Sequence, residues 1–80
     1  MVLMDMRVVV GSNFARIRKE RGLTQERVAE LSGFTQSYIG WLERGKRNPT
    51  VISVFHLAAA LGVTPTDLVA PLVEMEATLR

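Results

Sequence analysis

The sequence predicts an all-α domain of five or six short helices, and its punctuation is what predicts it. Asp5, Thr24, Thr35, Thr50 and Thr64 each stand just before a stretch whose apolar residues recur three or four apart, the spacing of one helical face. Gly22, Gly33 and Gly62 stand where those stretches stop, and glycine enters the left-handed conformation at a helix C-terminus without steric cost.

The first helix is expected from about Met6 to Arg21, on Met6, Val10, Phe14 and Ile17. The β-branched run Val8 to Val10 and Gly11 weaken its early part, so a start at Ser12 behind a loose arm is the alternative. The second helix begins at Gln25 behind Thr24, with Leu23 and Val28 set to clasp around the cap as a hydrophobic staple. Gly33 stops it, and the pattern repeats at once with Phe34, the cap Thr35 and Ile39. Two brief helices joined by a glycine-centred turn form a helix-turn-helix over residues 24–44. Val28, Ala29 and Leu31 are expected on the inner face of its first helix, and Ile39 and Leu42 on that of its second. Gln36, Ser37, Gly40, Trp41 and Arg44 then point outward, a face rich in hydrogen-bonding groups and poor in negative charge.

Beyond Gly45, Lys46-Arg47-Asn48-Pro49 reads as a turn. Thr50 caps a fourth helix from Val51 to Leu61, with a broad apolar face of Val51, Val54, Phe55, Ala58 and Leu61. Thr64-Pro65-Thr66-Asp67 opens a short fifth helix with a cap, a proline in the first helical position and an acid near the positive dipole end. Pro71 ends it, and Leu72, Met75 and Leu79 trace the stripe of a sixth. So short a helix is marginal alone in water, so its apolar side is expected against the core or another chain.

Eighty residues make one small domain, in which burial only just offsets chain entropy and the core is compact or shared with a second copy. No cysteine is present, which excludes a disulfide framework or a thiolate metal site and makes the cytoplasm the natural compartment. Hydrophobic residues are 48% of the chain, but Arg7, Arg16 and Arg18 interrupt the early apolar runs before any reaches spanning length. Asp5 and Arg7 likewise make Met1 to Val10 a poor signal peptide. For catalysis there are one His, two Asp and no Cys. His56 has no second ligand at metal spacing and Ser37 has no base, so no enzyme activity, metal, cofactor or small-molecule ligand is expected.

The net charge of +2 is unevenly spread: Arg16 to Arg47 holds eight basic residues against four acidic, while the rest of the chain is net acidic. Such a division suits a protein that lays one face on a polyanion.

Gln25, Ala29, Gly33, Ile39 and Leu42, with the exit Glu43-Arg44-Gly45-Lys46-Arg47-Asn48-Pro49, resemble the Cro and phage-repressor (Xre-like) helix-turn-helix family from about Phe14 to Leu68. The resemblance implies a compact phage-repressor-like fold and a sequence-specific double-stranded DNA-binding transcriptional regulator. Because the resembled domain takes up most of the chain, control by the protein's own concentration is expected rather than by an inducer domain. That profile looks like the controller proteins of restriction-modification systems or a compact phage-type repressor.

In such a motif the start of the second helix enters the major groove, where an amide side chain bonds two atoms of adenine and a hydroxyl serves either strand. Gln36 and Ser37 are therefore the expected base readers, with Thr35 and Trp41 beside them. Trp41 has a second reading, as a core aromatic covering the helix crossing. Tyr38 either reaches a phosphate with its hydroxyl or covers the turn with its ring. Gln25 opens a helix whose N-terminus favours a phosphate, and the resemblance implies that contact. Arg44, Lys46, Arg47 and Asn48 are expected along the DNA backbone, with Arg47 near a minor groove, whereas Lys19 and Arg21 read as exposed charges.

Arg18 and Glu43 each follow an inward apolar residue by one turn, so a partly buried salt bridge between them is expected, as the resemblance also implies. A homodimer on a near-palindromic operator is expected, paired through residues 63–80 by Val63, Leu68, Val69, Leu72 and Met75. Rival readings are an antitoxin-like interaction module with autoregulatory DNA binding, and a non-specific nucleoid protein.

Overall fold

A computed structural model describes residues 5–71, and its regular elements there are all helices: α1 Met6–Glu20, α2 Gln25–Ser32, α3 Gln36–Glu43, α4 Val51–Leu61 and α5 Pro65–Val69. The capping grammar sets where each begins. The side chains of Asp5, Thr24, Thr35 and Thr50 accept hydrogen bonds from the backbone N–H groups of Arg7, Arg27, Tyr38 and Ser53, each otherwise without a partner in the first turn. At α5 the Asp67 carboxylate accepts from both the backbone N–H and the hydroxyl of Thr64. Gly33 and Gly62 end α2 and α4 in the left-handed conformation, with φ of 82° and 75°.

Each helix packs on two others, so that α1, α3, α2, α4 and α5 follow one another in a closed ring whose last member returns to α1. The ring encloses Val10, Phe14, Ile17, Val28, Ala29, Ile39, Leu42, Val54, Leu57, Ala58, Leu61 and Leu68. Leu23 and Phe34, the outer halves of the two staples, lie half-buried against this core. The helix begins at Met6 and not at Ser12, because Val9 and Val10 are buried, and that burial outweighs the weak helix propensity of β-branched residues. Gly11 is what lets α1 cross α3: a Cβ there would lie 2.2 Å from the carbonyl oxygen of Leu42. Asn13 interrupts the apolar stripe of α1 to tie down α5, its Nδ2 donating to the carbonyls of Leu68 (3.0 Å) and Ala70 (2.9 Å) at that helix's end.

Several expectations about the core are corrected. Leu31 is 46% exposed, Val51 74% and Phe55 60%, so none of the three belongs to an inner face. On α4 the buried face runs through Val54, Leu57, Ala58 and Leu61; Leu57 takes the place expected of Phe55. The helix is apolar nearly all round, so periodicity cannot say which of its faces turns inward. Leu68 is fully buried in the core, so it is not available to a second chain, and Val63 is half-buried against the same core. Of the other residues expected at a dimer surface, Val69 is exposed. Leu72 and Met75, with the whole expected sixth helix, lie outside the described residues. Among the described residues no helix is long and apolar enough to cross a membrane.

Candidate nucleic-acid interface

The helix-turn-helix of α2 and α3 is locked from behind by one carboxylate. Glu43, at the end of α3, accepts from Nε and Nη2 of Arg18 on α1, the latter at 3.0 Å, and from Nε2 of Gln25 on α2 at 2.9 Å. Nη1 of Arg18 donates to the carbonyl of Leu23 at 2.9 Å, so a single guanidinium holds α1, the entry to α2 and the exit of α3 together. The side chains of the pair are only 12% and 9% exposed. At such burial, removing one member leaves the other charge unpaired, which is where the energetic weight of the pair lies. An ionised carboxylate only accepts, so the Gln25 amide must turn Nε2 toward it, and Oε1 faces the opposite way, over Gly40.

In front of this lock α3 presents Thr35, Gln36, Ser37 and Trp41 to solvent. Gln36, Ser37, Gly40, Trp41 and Arg44, together with Gln25, line an open cavity of about 310 Å³. Gly40 is buried rather than outward, roofed by the side chains of Arg44 and Gln25, though it still forms part of the cavity floor.

Trp41 is 43% exposed, which removes the reading of it as a core aromatic. Its ring carries two cations instead: the guanidinium carbon of Arg44 lies 4.8 Å and that of Arg47 5.7 Å from the ring centre. Tyr38 stacks on Phe34 with ring centres 4.6 Å apart and planes 16° from parallel, so its ring does cover the turn. Burial pushes its hydroxyl above the usual phenol value, with the nearby Arg47 charge working weakly the other way.

The described basic residues divide into paired and unpaired ones. Arg16, Arg18 and Arg27 are paired with Glu20, Glu43 and Glu30. Among the described residues Arg44, Lys46 and Arg47 have no carboxylate within salt-bridge distance; they are exposed, as is Asn48, immediately after α3. Part of the uncompensated positive charge of the middle of the chain thus lies at the exit of α3, where Arg44 lines the same cavity as Gln36 and Ser37. Lys19 and Arg21 are exposed at the end of α1. His56 is exposed on α4, and among the described residues no cluster of His, Cys, Asp and Glu is set to hold a metal ion.

Three features here were not anticipated from the sequence. The Gln25 to Glu43 bond needs the folded approach of α2 to α3, which no local pattern encodes. The two arginines on Trp41 had a visible cue, since Arg44 follows Trp41 by one helical turn. The polar Asn13 within an apolar stripe was a cue as well.

A capped helix-turn-helix with a polar outward face and unpaired cations at its exit defines the class of small DNA-binding domains. Residues 14–68 match the helix-turn-helix family HTH_3, and the chain belongs to that family of DNA-binding transcriptional regulators. It is 63% identical over 68 residues to y4dJ of Sinorhizobium fredii, an uncharacterised HTH-type transcriptional regulator, covering 85% of this chain and 88% of that one. Among solved structures it is similar to the restriction-modification controller protein C.AhdI from Aeromonas hydrophila, with a TM-score of 0.74 and 40% identity over 78% of this chain and 94% of that one. It is also similar to the controller protein C.Esp1396I, solved as a tetramer in complex with its natural 35 base-pair operator, with a TM-score of 0.73 and 30% identity over 91% of each chain.

Proposed function

We propose that this regulator acts as a homodimer that reads a near-palindromic operator in double-stranded DNA and thereby controls its own synthesis. The observation that carries the reading is the joint exposure of Gln36 and Ser37 on α3, followed by Arg44, Lys46 and Arg47, which have no carboxylate partners among the described residues. Those two side chains read base edges in the major groove, with Thr35 and Trp41 at the margin of the contact. Arg44, Lys46, Arg47 and Asn48 fix register on the phosphates, Arg47 toward the adjoining minor groove. Gln25 has one amide N–H left after serving Glu43, and that hydrogen is its means of reaching a phosphate. Tyr38 contributes through its hydroxyl at the edge of its stack on Phe34.

The second copy is met by the apolar face of α4 and α5. Val51, Ile52, Phe55 and Val69 are exposed there, and Val51, Val54, Phe55, Pro65, Thr66 and Val69 line a groove of about 240 Å³. A face so rich in carbon is unsuited to DNA and suited to burial against its own copy about a two-fold axis. Two recognition helices then meet half-sites about one helical turn apart.

Replacing both Gln36 and Ser37 with alanine tests the reading. Loss of preference among duplexes, with helicity and low-salt binding retained, is the expected result. Unchanged preference for the duplexes selected by the wild-type protein would refute base reading by these residues.

A further inference from the structure

We infer that Gly40 is a clearance residue: its missing side chain keeps the cavity floor open so that a backbone phosphate of the duplex can seat against α3. The inference rests on the DNA-binding reading above and deepens it.

The chain has six glycines, and the fold accounts for five of them. Gly22, Gly33, Gly45 and Gly62 have positive φ, which side chains rarely adopt. At Gly11 a Cβ would collide with the carbonyl of Leu42 at 2.2 Å. Gly40 answers to neither constraint. Its φ is not positive, and a Cβ built there meets nothing nearer than the Arg44 guanidinium nitrogens at 3.7 and 3.8 Å and the Gln25 Oε1 at 4.0 Å. These are ordinary contacts with the ends of flexible side chains.

Yet the residue lies inside α3, where glycine is the poorest helix former after proline and alanine the best. The free protein therefore gains nothing from glycine at this position. What it gains is space in the cavity that the face of α3 shares with the N-terminus of α2. Of the other residues lining that cavity, Gln36, Ser37, Trp41 and Arg44 carry hydrogen-bond donors and none is a carboxylate, while Gln25 turns its Oε1 toward Gly40. Such a lining suits an anionic oxygen. A methyl group on its floor would hold a phosphate away from the Arg44 guanidinium.

The test compares the full-length wild type with Gly40→Ala and Gly40→Leu, using a labelled duplex recovered from a random pool by the wild-type protein. Gly40→Ala is expected to raise the thermal midpoint by about 4 °C. Its affinity for the duplex is expected to fall roughly tenfold, with Gly40→Leu weaker still. The slope of log affinity against log salt should decrease by about one, as for the loss of a single phosphate contact, a signature that a purely structural change does not produce. If Gly40→Ala binds as tightly as wild type, the inference is overturned while the regulator reading stands. If Gly40→Ala melts lower than wild type, the fold itself requires the glycine, and the inference is likewise overturned. If the wild type recovers no preferred duplex, the regulator reading fails and this inference fails with it.

Discussion

Among the described residues nothing covers the α2–α3 face or the α4–α5 face, and the two are opposite in chemistry. The first shows amides, hydroxyls and cations, and behind it lies the ionic lock of Arg18, Glu43 and Gln25. The second shows Val51, Ile52, Phe55 and Val69, and behind it Asn13 secures the end of α5. A polar face costs little while it waits in water, because water satisfies its hydrogen bonds, so it can be specific for a partner met only occasionally. An apolar face carries a continuing penalty for exposure, which favours a partner that is always at hand, and a second copy of the same chain is such a partner. The two faces thus suit encounters of different duration.

Disabling the lock gives the largest effect and shows whether the polar face depends on it. Glu43→Ala should lower the unfolding free energy by about 3–5 kcal/mol, since it leaves the Arg18 guanidinium buried without a carboxylate. Urea denaturation measures it; a loss below about 1 kcal/mol would mean that the pair behaves as a surface ion pair.

A charge placed on the apolar face breaks the other half of the contrast. Phe55→Asp should leave the monomer fold intact, because the side chain is 60% exposed. It should shift the sedimenting species from dimer to monomer and weaken operator binding by about a hundredfold through loss of the second half-site. A variant that stays dimeric would place the copy-to-copy contact elsewhere on the molecule.

The smallest effect sharpens the description of the turn between α2 and α3. Tyr38 is the sole tyrosine, so phenolate absorbance reports on it alone. Its ionisation should come above the ordinary value near 10, since burial raises it. The folded state then holds its proton more tightly than the unfolded state. The resulting stability is complete below the unfolded pKa and is lost as pH rises through the folded one. Phe34→Ala should bring the midpoint back toward the ordinary value by uncovering the ring; an unchanged midpoint would assign the shift to some other neighbour.

Much of the interface was legible in advance because its signals are local. Thr24 and Thr35 act on N–H groups three residues away, Gly33 acts on its own φ, and the outward position of Gln36 and Ser37 follows from those two boundaries. The apolar face was not legible in the same way. Hydrophobicity says that Val51, Phe55 and Leu68 prefer to leave water, and says nothing about whether the burial is within one chain or between two. Leu68 went to the core, and Val51 and Phe55 did not.

The sequence by itself determined the order of the helices over the described residues and, to within a residue or so, their ends apart from the start of α1, since caps, glycine stops and helical spacing work within a few residues of chain. It also determined that Arg18 and Glu43 would meet, because an opposite charge one turn beyond an inward apolar residue on each helix has few other places to go. Only the tertiary structure decided that Gln25 would be bound to Glu43, that Arg44 and Arg47 would lie on Trp41, and which side of α4 would remain outside. Those outcomes depend on how helices distant in sequence cross, and crossing is set by the fit of the whole ring of side chains rather than by any one segment.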